Sequence, residues 1–547
     1  MAEEKIDGRV YTQMVRGGVL QLSKHAKEVN DLNVFPIPDG DTGENMLLTL
    51  KGGAEAKDGD GDLSSASRSV SDSMLLSARG NSGVILSQFF EGIAKGFAYV
   101  KEADVKKFGD ALKEGVEYAY RSVLKPTEGT ILTVIREATD HACGTEAKTP
   151  EEFLVAFIEE AKRSLARTPD LLPVLKKAGV VDSGGAGIIY IVEGMLRALS
   201  GESLDYVVEK SESSQSEIDL DAFDEDSVLE FGYCTELLLR LQNAKTDIKS
   251  FDTSVITDYL ETIGNSIVCV GNGSVVKIHV HTMTPQRVLD FCQRYGEFLK
   301  VKIENMSLQH NSIVENDKNT DTPPAIRKKF GVVAVANGQG IKDAFADMGA
   351  DIIVEGGQSM NPSAQSFLDA FDRVNADTVF VLPNNSNIVL VAEQASKMYQ
   401  KSDIRVIKTR TVGEGYAVLS LLDTTCADAD AIEAECNEAK EGVKTAEISP
   451  CIRTVDMDGV HAEAGDYIGF MGKTLLSSHP SRLETAKGAV DKMSLSENSV
   501  AIIICGEDST DEESEALYSY VSSKFPMLEI YMLNGGQTVY SYIIVGE

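Results

Sequence analysis

Through the first two hundred residues the apolar positions recur at helical spacing. Beyond residue 325 short apolar runs alternate with helical stretches. Met14, Val15, Val19, Leu22, Ala26 and Val29 mark one face of a helix over 10–29. A second helix restarts at 46–50. Residues 70–100 read as helix, interruption, helix, with the break at Arg79-Gly80-Asn81-Ser82-Gly83. Stretches 104–124 and 150–168 are amphipathic helices, 125–130 is a turn and helix start, and the apolar helix 188–199 follows Asp182-Ser183-Gly184-Gly185. Strand signals are scarce here, so residues 1–200 predict an all-α domain with its functional-looking loops at helix ends.

The second half changes character. Val275-Val276-Lys277-Ile278-His279-Val280-His281 alternates as a strand. Runs at 331–336, 351–354 and 378–382, separated by helical stretches, give the βαβ rhythm of a parallel α/β sheet. The loops at 337–340, 356–363 and 384–387 fall at strand C-terminal ends, where open sheets place ligand or contact loops. An acidic helical stretch over about 424–446 leads to a final α/β segment with strands near 467–471, 500–505 and 528–533. Residues 203–229 carry nine acidic side chains against one lysine and read as a linker, as does the polar 316–324. The expected domains are 1–200 (all-α), 230–315 (α+β middle domain) and 325–547 (α/β, two lobes), with 201–229 an acidic linker.

Composition narrows the partners. A chain of 547 residues is too long for one core. Its formal charge of −33 argues against nucleic acid or an anionic membrane as a standing partner. No apolar run is long enough to span a bilayer, so no stable membrane insertion is expected. The opening residues lack the apolar core of a secretion signal, and the eight cysteines include no Cys-x-x-Cys pair. A reducing cytoplasm fits both.

Candidate chemistry centres on Asn33-Val34-Phe35-Pro36-Ile37-Pro38-Asp39-Gly40-Asp41-Thr42-Gly43-Glu44-Asn45-Met46. Pro36 and Pro38 cannot continue a helix. Asp39 and Asp41 can converge on one hard cation of the magnesium type, and Gly40 and Gly43 would let backbone approach an anion. A solvated turn is the plainer alternative for Asp-Gly-Asp alone. Asp58-Gly59-Asp60-Gly61-Asp62 looks more metal-like but fails as a calcium loop, because Leu63 and Ser69 stand where the glycine and the bidentate glutamate belong. Gly80-Asn81-Ser82-Gly83 at a helix start is an anion cradle or a tight helix crossing. Neither a P-loop nor a dinucleotide fingerprint is present. In the strand 275–281, His279 and His281 share a face and could chelate an ion with Cys234; half-exposed histidines beside a buried thiol are the other reading.

Together with Ala78–Gly83 and Asp182-Ser183-Gly184-Gly185, the 33–46 string resembles the nucleotide-binding domain of dihydroxyacetone kinases. The whole chain is more similar still to the ATP-binding subunit of bacterial fatty acid kinase. The resemblance implies an all-helical barrel holding ATP and Mg2+, a middle domain with a zinc site, and a C-terminal region of the DegV-like fatty-acid-binding fold. By position it makes Asp39 and Asp41 magnesium ligands. The third aspartate of the dihydroxyacetone kinases falls on Asn33, whose amide brings no charge, and their loop histidine falls on Thr42. The resemblance puts Thr42, Gly43 and Asn45 beside the phosphates, with Gly80, Asn81, Ser82 and Gly83 as the phosphate loop. Thr130 and Asp182 line the nucleotide's far side, and Cys234, His279 and His281 hold the zinc. Arg79 is a candidate for charge stabilisation, or an arginine capping a helix.

These features lead to the expectation of an ATP-dependent kinase making an acyl phosphate from a fatty acid carboxylate presented by a separate DegV-like carrier, which the C-terminal region docks. A fatty carboxylate, with a pKa of about 4, is ionised at neutral pH and needs no general base. A dihydroxyacetone-type kinase and a non-catalytic nucleotide-sensing scaffold are the alternatives. A homodimer is left open.

Overall fold

The computed structural model describes residues 5–33, 40–56, 61–123 and 125–201. It further describes 233–305 apart from 244, 247–250, 252, 273 and 274, and 327–547 apart from 359, 423 and 425–427. Both expected linkers lie outside the described residues. The chain divides into two compact units, one formed by 1–208 with 327–547 and the other by 209–326.

The amino-terminal part of the first unit is a helical body. Its elements are α1 (Gly8–Asp31), α2 (Thr42–Ala54), α3 (Leu63–Ser77), α4 (Gly80–Gly96), α5 (Val105–Arg121), α6 (Ile131–Gly144), α7 (Pro150–Leu171), α8 (Pro173–Ala178) and α9 (Ser183–Leu199). Local chemistry sets their starts. Asp7 accepts from the Arg9 and Val10 amides at α1, Asp62 from Ser65 at α3, and Thr149 from Glu152 at α7, whose first residue is Pro150. Asp62 of the acidic run is thus a helix cap. Neighbour contacts run α1–α2–α4–α5–α6–α7–α9 and back to α1, with α3 lying on α1, α2 and α4. The enclosed core contains Met14, Val15, Val19, Leu22 and Val29 of α1, the positions marked by the periodicity.

The α/β body holds two sheets. Strands β5 (Lys328–Ala336), β6 (Ile352–Glu355), β7 (Ala376–Leu382) and β8 (Asp403–Val406) — numbered after the four of the middle domain, β1 (Tyr233–Leu241), β2 (Gly264–Asn272), β3 (Val275–Thr282) and β4 (Gly296–Asn305) — form a parallel sheet in the order β6-β5-β7-β8. The second sheet runs β13-β12-β9-β16-β14-β15, from β9 (Lys444–Pro450), β12 (Tyr467–Met471), β13 (Thr474–His479), β14 (Val500–Cys505), β15 (Glu529–Asn534) and β16 (Tyr542–Gly546). Only β14–β15 is parallel there. A small hairpin joins β10 (Val455–Met457) to β11 (Val460–Ala462).

The expected acidic helix is shorter than read. It covers Ala429–Ala439, and β9 begins at Lys444. The change of state follows from tertiary pairing. Lys444–Pro450 lies between β12 and β16, with Thr445, Ala446, Ile448 and Ser449 buried, so neighbours on both sides override the helical tendency of the acidic run.

The helical and α/β bodies share apolar packing. Ala78 and Val84, flanking the start of α4, belong to the same buried cluster as Val333, Phe367, Val381 and Val391. Gln394 donates to the Leu75 carbonyl at 2.7 Å.

The second unit contains an antiparallel sheet in the order β2-β3-β1-β4, covered by helices Ser254–Glu261 and Pro285–Cys292. Register sets Cys234 opposite His281 and Glu236 opposite His279.

Candidate nucleotide site

The site is built where α2, α4, α6 and α9 begin. Asp41 occupies the N-cap position of α2, yet its carboxylate makes no capping bond. Asn30, at the end of α1, caps instead, accepting from the amides of Gly43 at 2.7 Å and Glu44 at 3.3 Å. The Asp41 carboxylate is thereby released for other partners. Asp39 lies outside the described residues.

Gly43 has a packing role that the sequence did not show. A Cβ there would lie 2.2 Å from the Ala26 carbonyl oxygen, so the α1–α2 crossing itself requires glycine. The phosphate-loop candidates divide similarly. Gly80 adopts φ +57°, the left-handed region that favours glycine, and starts α4. Gly83 faces Thr49 of α2, against which a Cβ would clash, so the helix-crossing reading holds at that position. No side chain caps the first turn of α4, whose residues Asn81 and Ser82 line the cavity described below, at the end of the helix where the dipole favours an anion.

Asp182 caps α9 through the Gly185 amide at 2.7 Å and also accepts from the Ile131 amide at the start of α6. Burial pushes its carboxyl up to about 6, against the lowering effect of these two amides. Thr130 donates to the Thr127 carbonyl at 2.8 Å.

These helix ends surround a cavity of about 360 Å³. Asn33, Asp41, Thr42, Asn45, Asn81, Ser82, Thr130 and Asp182 all line it, with an apolar side from Leu172, Val174 and Leu175. Gly43, Gly80, Gly83 and Arg79 are not among its lining residues. The Arg79 guanidinium is half-buried, held below its ordinary pKa by desolvation, and donates through Nη1 to the Asn361 carbonyl at 3.0 Å. Arg79 therefore joins the helical body to the α/β body.

Sequence reasoning missed four contributors, Asn30, Asn361, Asn387 and Arg453. Asn30 looked like an ordinary helix-end residue. Asn361 and Asn387 lie in two of the strand-end loops singled out as contact loops, but nothing local shows that they reach residues some three hundred positions away. Asn387 lines the cavity and accepts from Asn81 Nδ2 at 3.3 Å. Asn361 Nδ2 donates to Asp41 Oδ2. The Asn33 carbonyl also accepts from Arg453.

A second cavity, of about 640 Å³, lies at the C-terminal ends of β5 and β7, lined by Asn337, Gln358, Asn384, Asn385 and Arg410 among others. It shares Asn81 and Asn387 with the smaller one.

The domain models that match are a DAK2 domain at 36–197, the FakA-like middle domain of fatty acid kinases at 230–313, and the FakA-like C-terminal domain at 331–547. A Bacillus subtilis relative, Protein YloV, is 40% identical over 566 residues, covering 100% of both chains. This chain belongs to the FakA-like fatty acid kinase family. An uncharacterized protein of Staphylococcus saprophyticus is 34% identical over 99% of this chain and 100% of its own. Among solved structures, dihydroxyacetone kinase from C. freundii in complex with AMP-PNP and Mg2+ is matched at TM-score 0.28 and 18% identity, over 34% of this chain and 33% of that one. Family membership supports a kinase with a fatty acid kinase role.

Among the described residues no group of three His, Cys, Asp or Glu is placed to hold an ion. The side chains of Cys234, His279 and His281 lie outside the described residues, as does Asp39. No described helix is long and apolar enough to cross a membrane.

Proposed function

We propose that this chain transfers the γ-phosphoryl group of ATP, as its Mg2+ complex, to a fatty acid carboxylate presented by a separate fatty-acid-binding carrier protein. The observation that carries the reading is the make-up of the smaller cavity. Its described lining offers hydroxyls, carboxamides and uncapped helix-start amides for phosphates. Its titratable side chains there are only Asp41 and Asp182, and Asp182 is engaged with two backbone amides. Such a site positions phosphate and leaves its charge to the cation, and among its described lining residues no histidine or lysine stands to deprotonate an acceptor. A carboxylate acceptor needs no such base, whereas a hydroxyl does. The ring of helix neighbours supports the barrel that the resemblance implies.

Within this reading Asp39 and Asp41 hold the cation, Asn45, Asn81 and Ser82 contact phosphates, and Thr130 with Asp182 borders the nucleoside end. The α/β body docks the carrier. For the middle domain we propose zinc on Cys234, His279 and His281. Total-metal analysis of the purified chain should find stoichiometric zinc, and its absence would remove that assignment.

The test of function is ATP consumption by the purified chain with Mg2+ and oleate, with and without a DegV-like carrier. Turnover that requires the carrier is expected. Turnover on small polyols, and none with carrier and oleate, would move the protein to the dihydroxyacetone-type kinases. No turnover with any acceptor, despite ATP binding, would favour a nucleotide sensor.

A further inference from the structure

The resemblance places a third cation ligand at Asn33, but that side chain is already engaged. Its Oδ1 accepts from Thr42 Oγ1 at 3.0 Å and from Ser183 Oγ at 3.2 Å, which uses both lone pairs of an amide oxygen. Asn361, reaching Asp41 from the α/β body, is in the opposite condition. It is 3% exposed, and its Nδ2 donates to Asp41 Oδ2 and lies 3.5 Å from Asn45 Oδ1. Its Oδ1 is buried with no hydrogen-bond partner. A buried acceptor without a donor is unfavourable, so no hydrogen bond holds the amide in its present orientation on the Oδ1 side, and exchanging its two ends breaks none there.

The two ends of a carboxamide are nearly the same size, and a half-turn about χ2 exchanges them. That exchange would set an oxygen where Nδ2 now faces Asp41. Oxygens from a carboxylate and an amide are the donor types that a hard divalent cation takes. The main chain at Asn361 is held independently, because its carbonyl accepts from Arg79 Nη1 at 3.0 Å. The side chain can therefore turn without moving its anchor.

We propose that Asn361 is a ligand of the divalent cation held by Asp41, filling the place that sequence position assigns to Asn33. Without the ion its amide donates to the carboxylate, and with the ion its oxygen joins the carboxylate around the metal. The cation site is then complete only when the α/β body is seated on the helical body, which links metal binding to that contact. This inference rests on the kinase reading above.

The test uses the full chain and Mn2+ as the probe, with Mn2+ binding followed by electron paramagnetic resonance in the presence of AMP-PNP, and thermal midpoints with and without Mn2+. Asn361→Leu should weaken Mn2+ binding by about tenfold to a hundredfold, while AMP-PNP affinity without metal stays unchanged. Asn361→Asp should restore Mn2+ binding to the native level or better. It should also lower the thermal midpoint without Mn2+, since two carboxylates then face each other, and regain it with Mn2+. Asn33→Ala should disturb Mn2+ binding far less than Asn361→Leu. If Asn361→Asp binds Mn2+ as poorly as Asn361→Leu, Asn361 is only an amide donor to Asp41 and the proposal is overturned. Native binding by Asn361→Leu overturns it as well. Failure of the unmodified chain to bind Mn2+ with AMP-PNP would overturn the kinase reading and this proposal together.

Discussion

The helical body and the α/β body meet at one cavity with different chemical equipment. The helical body brings a carboxylate at Asp41, hydroxyls at Thr42, Ser82 and Thr130, and uncapped amides at the start of α4. The α/β body brings neutral carboxamides, Asn361 onto Asp41 and Asn387 onto Asn81, together with one cation, Arg453, on the Asn33 carbonyl. Groups that take up charge thus come from helix ends. Groups that orient them come mainly from strand-end loops. The contrast teaches that the carboxyl-terminal half is part of the candidate site's construction, beyond the carrier docking proposed for it.

Substitutions on the two sides should behave differently. On the helical side, Asp41→Ala should lower phosphoryl transfer by about a hundredfold to a thousandfold while ATP binding without metal persists, measured by single-turnover rates and calorimetry. An equal loss of metal-free ATP binding would mean that Asp41 holds the fold of the loop instead. Gly43→Ala should destabilise the helical body by about 1–3 kcal/mol in urea unfolding, because the added methyl meets the Ala26 carbonyl. Unchanged stability with weakened ATP binding would return Gly43 to the anion-contact role. On the α/β side, Asn387→Ala should cost about 0.5–1.5 kcal/mol of ATP binding, seen as a raised KM with kcat nearly constant. A selective fall in kcat would make Asn387 part of the transition-state machinery.

The smallest effect is expected at Asp182. Its carboxyl sits at about 6 in the folded chain against an ordinary 3.8, so the native state binds this proton more tightly than the unfolded chain does. The stability it contributes is complete below about pH 4 and is lost as pH rises through about 6. Asp182→Asn keeps an acceptor for the Gly185 amide and removes the titration. Its thermal midpoint should vary less over that window than that of the unmodified protein. An identical pH dependence would show that Asp182 is not the responsible group.

Legibility in the sequence followed how local each cause is. The break before α4 was readable because Gly80 lies between two periodic apolar runs, and α1 was readable from its own face. The three strand-end loops of the parallel sheet were readable from βαβ spacing. By contrast, β9 takes its state from its neighbours β12 and β16, which no local pattern shows, whereas the apolar run of β16 carries a strand signal that the reading of the chain passed over. The Asp39–Asp41 loop drew attention through its own residues. The partner of Asp41 is 320 positions away, and no local pattern announces such a contact. The glycines of that loop and of α4 signalled close approach correctly, but the approaching group at Gly43 and Gly83 is a neighbouring helix.

The most direct measurement for a site shared between the two bodies is a double-mutant cycle of Asp41→Asn and Asn361→Ala, read as the affinity for AMP-PNP with Mg2+. A shared site predicts strong non-additivity, with a coupling of about 0.5–3 kcal/mol, because each substitution removes the partner of the other. Additivity within about 0.5 kcal/mol would contradict it and leave the nucleotide site to the helical body alone.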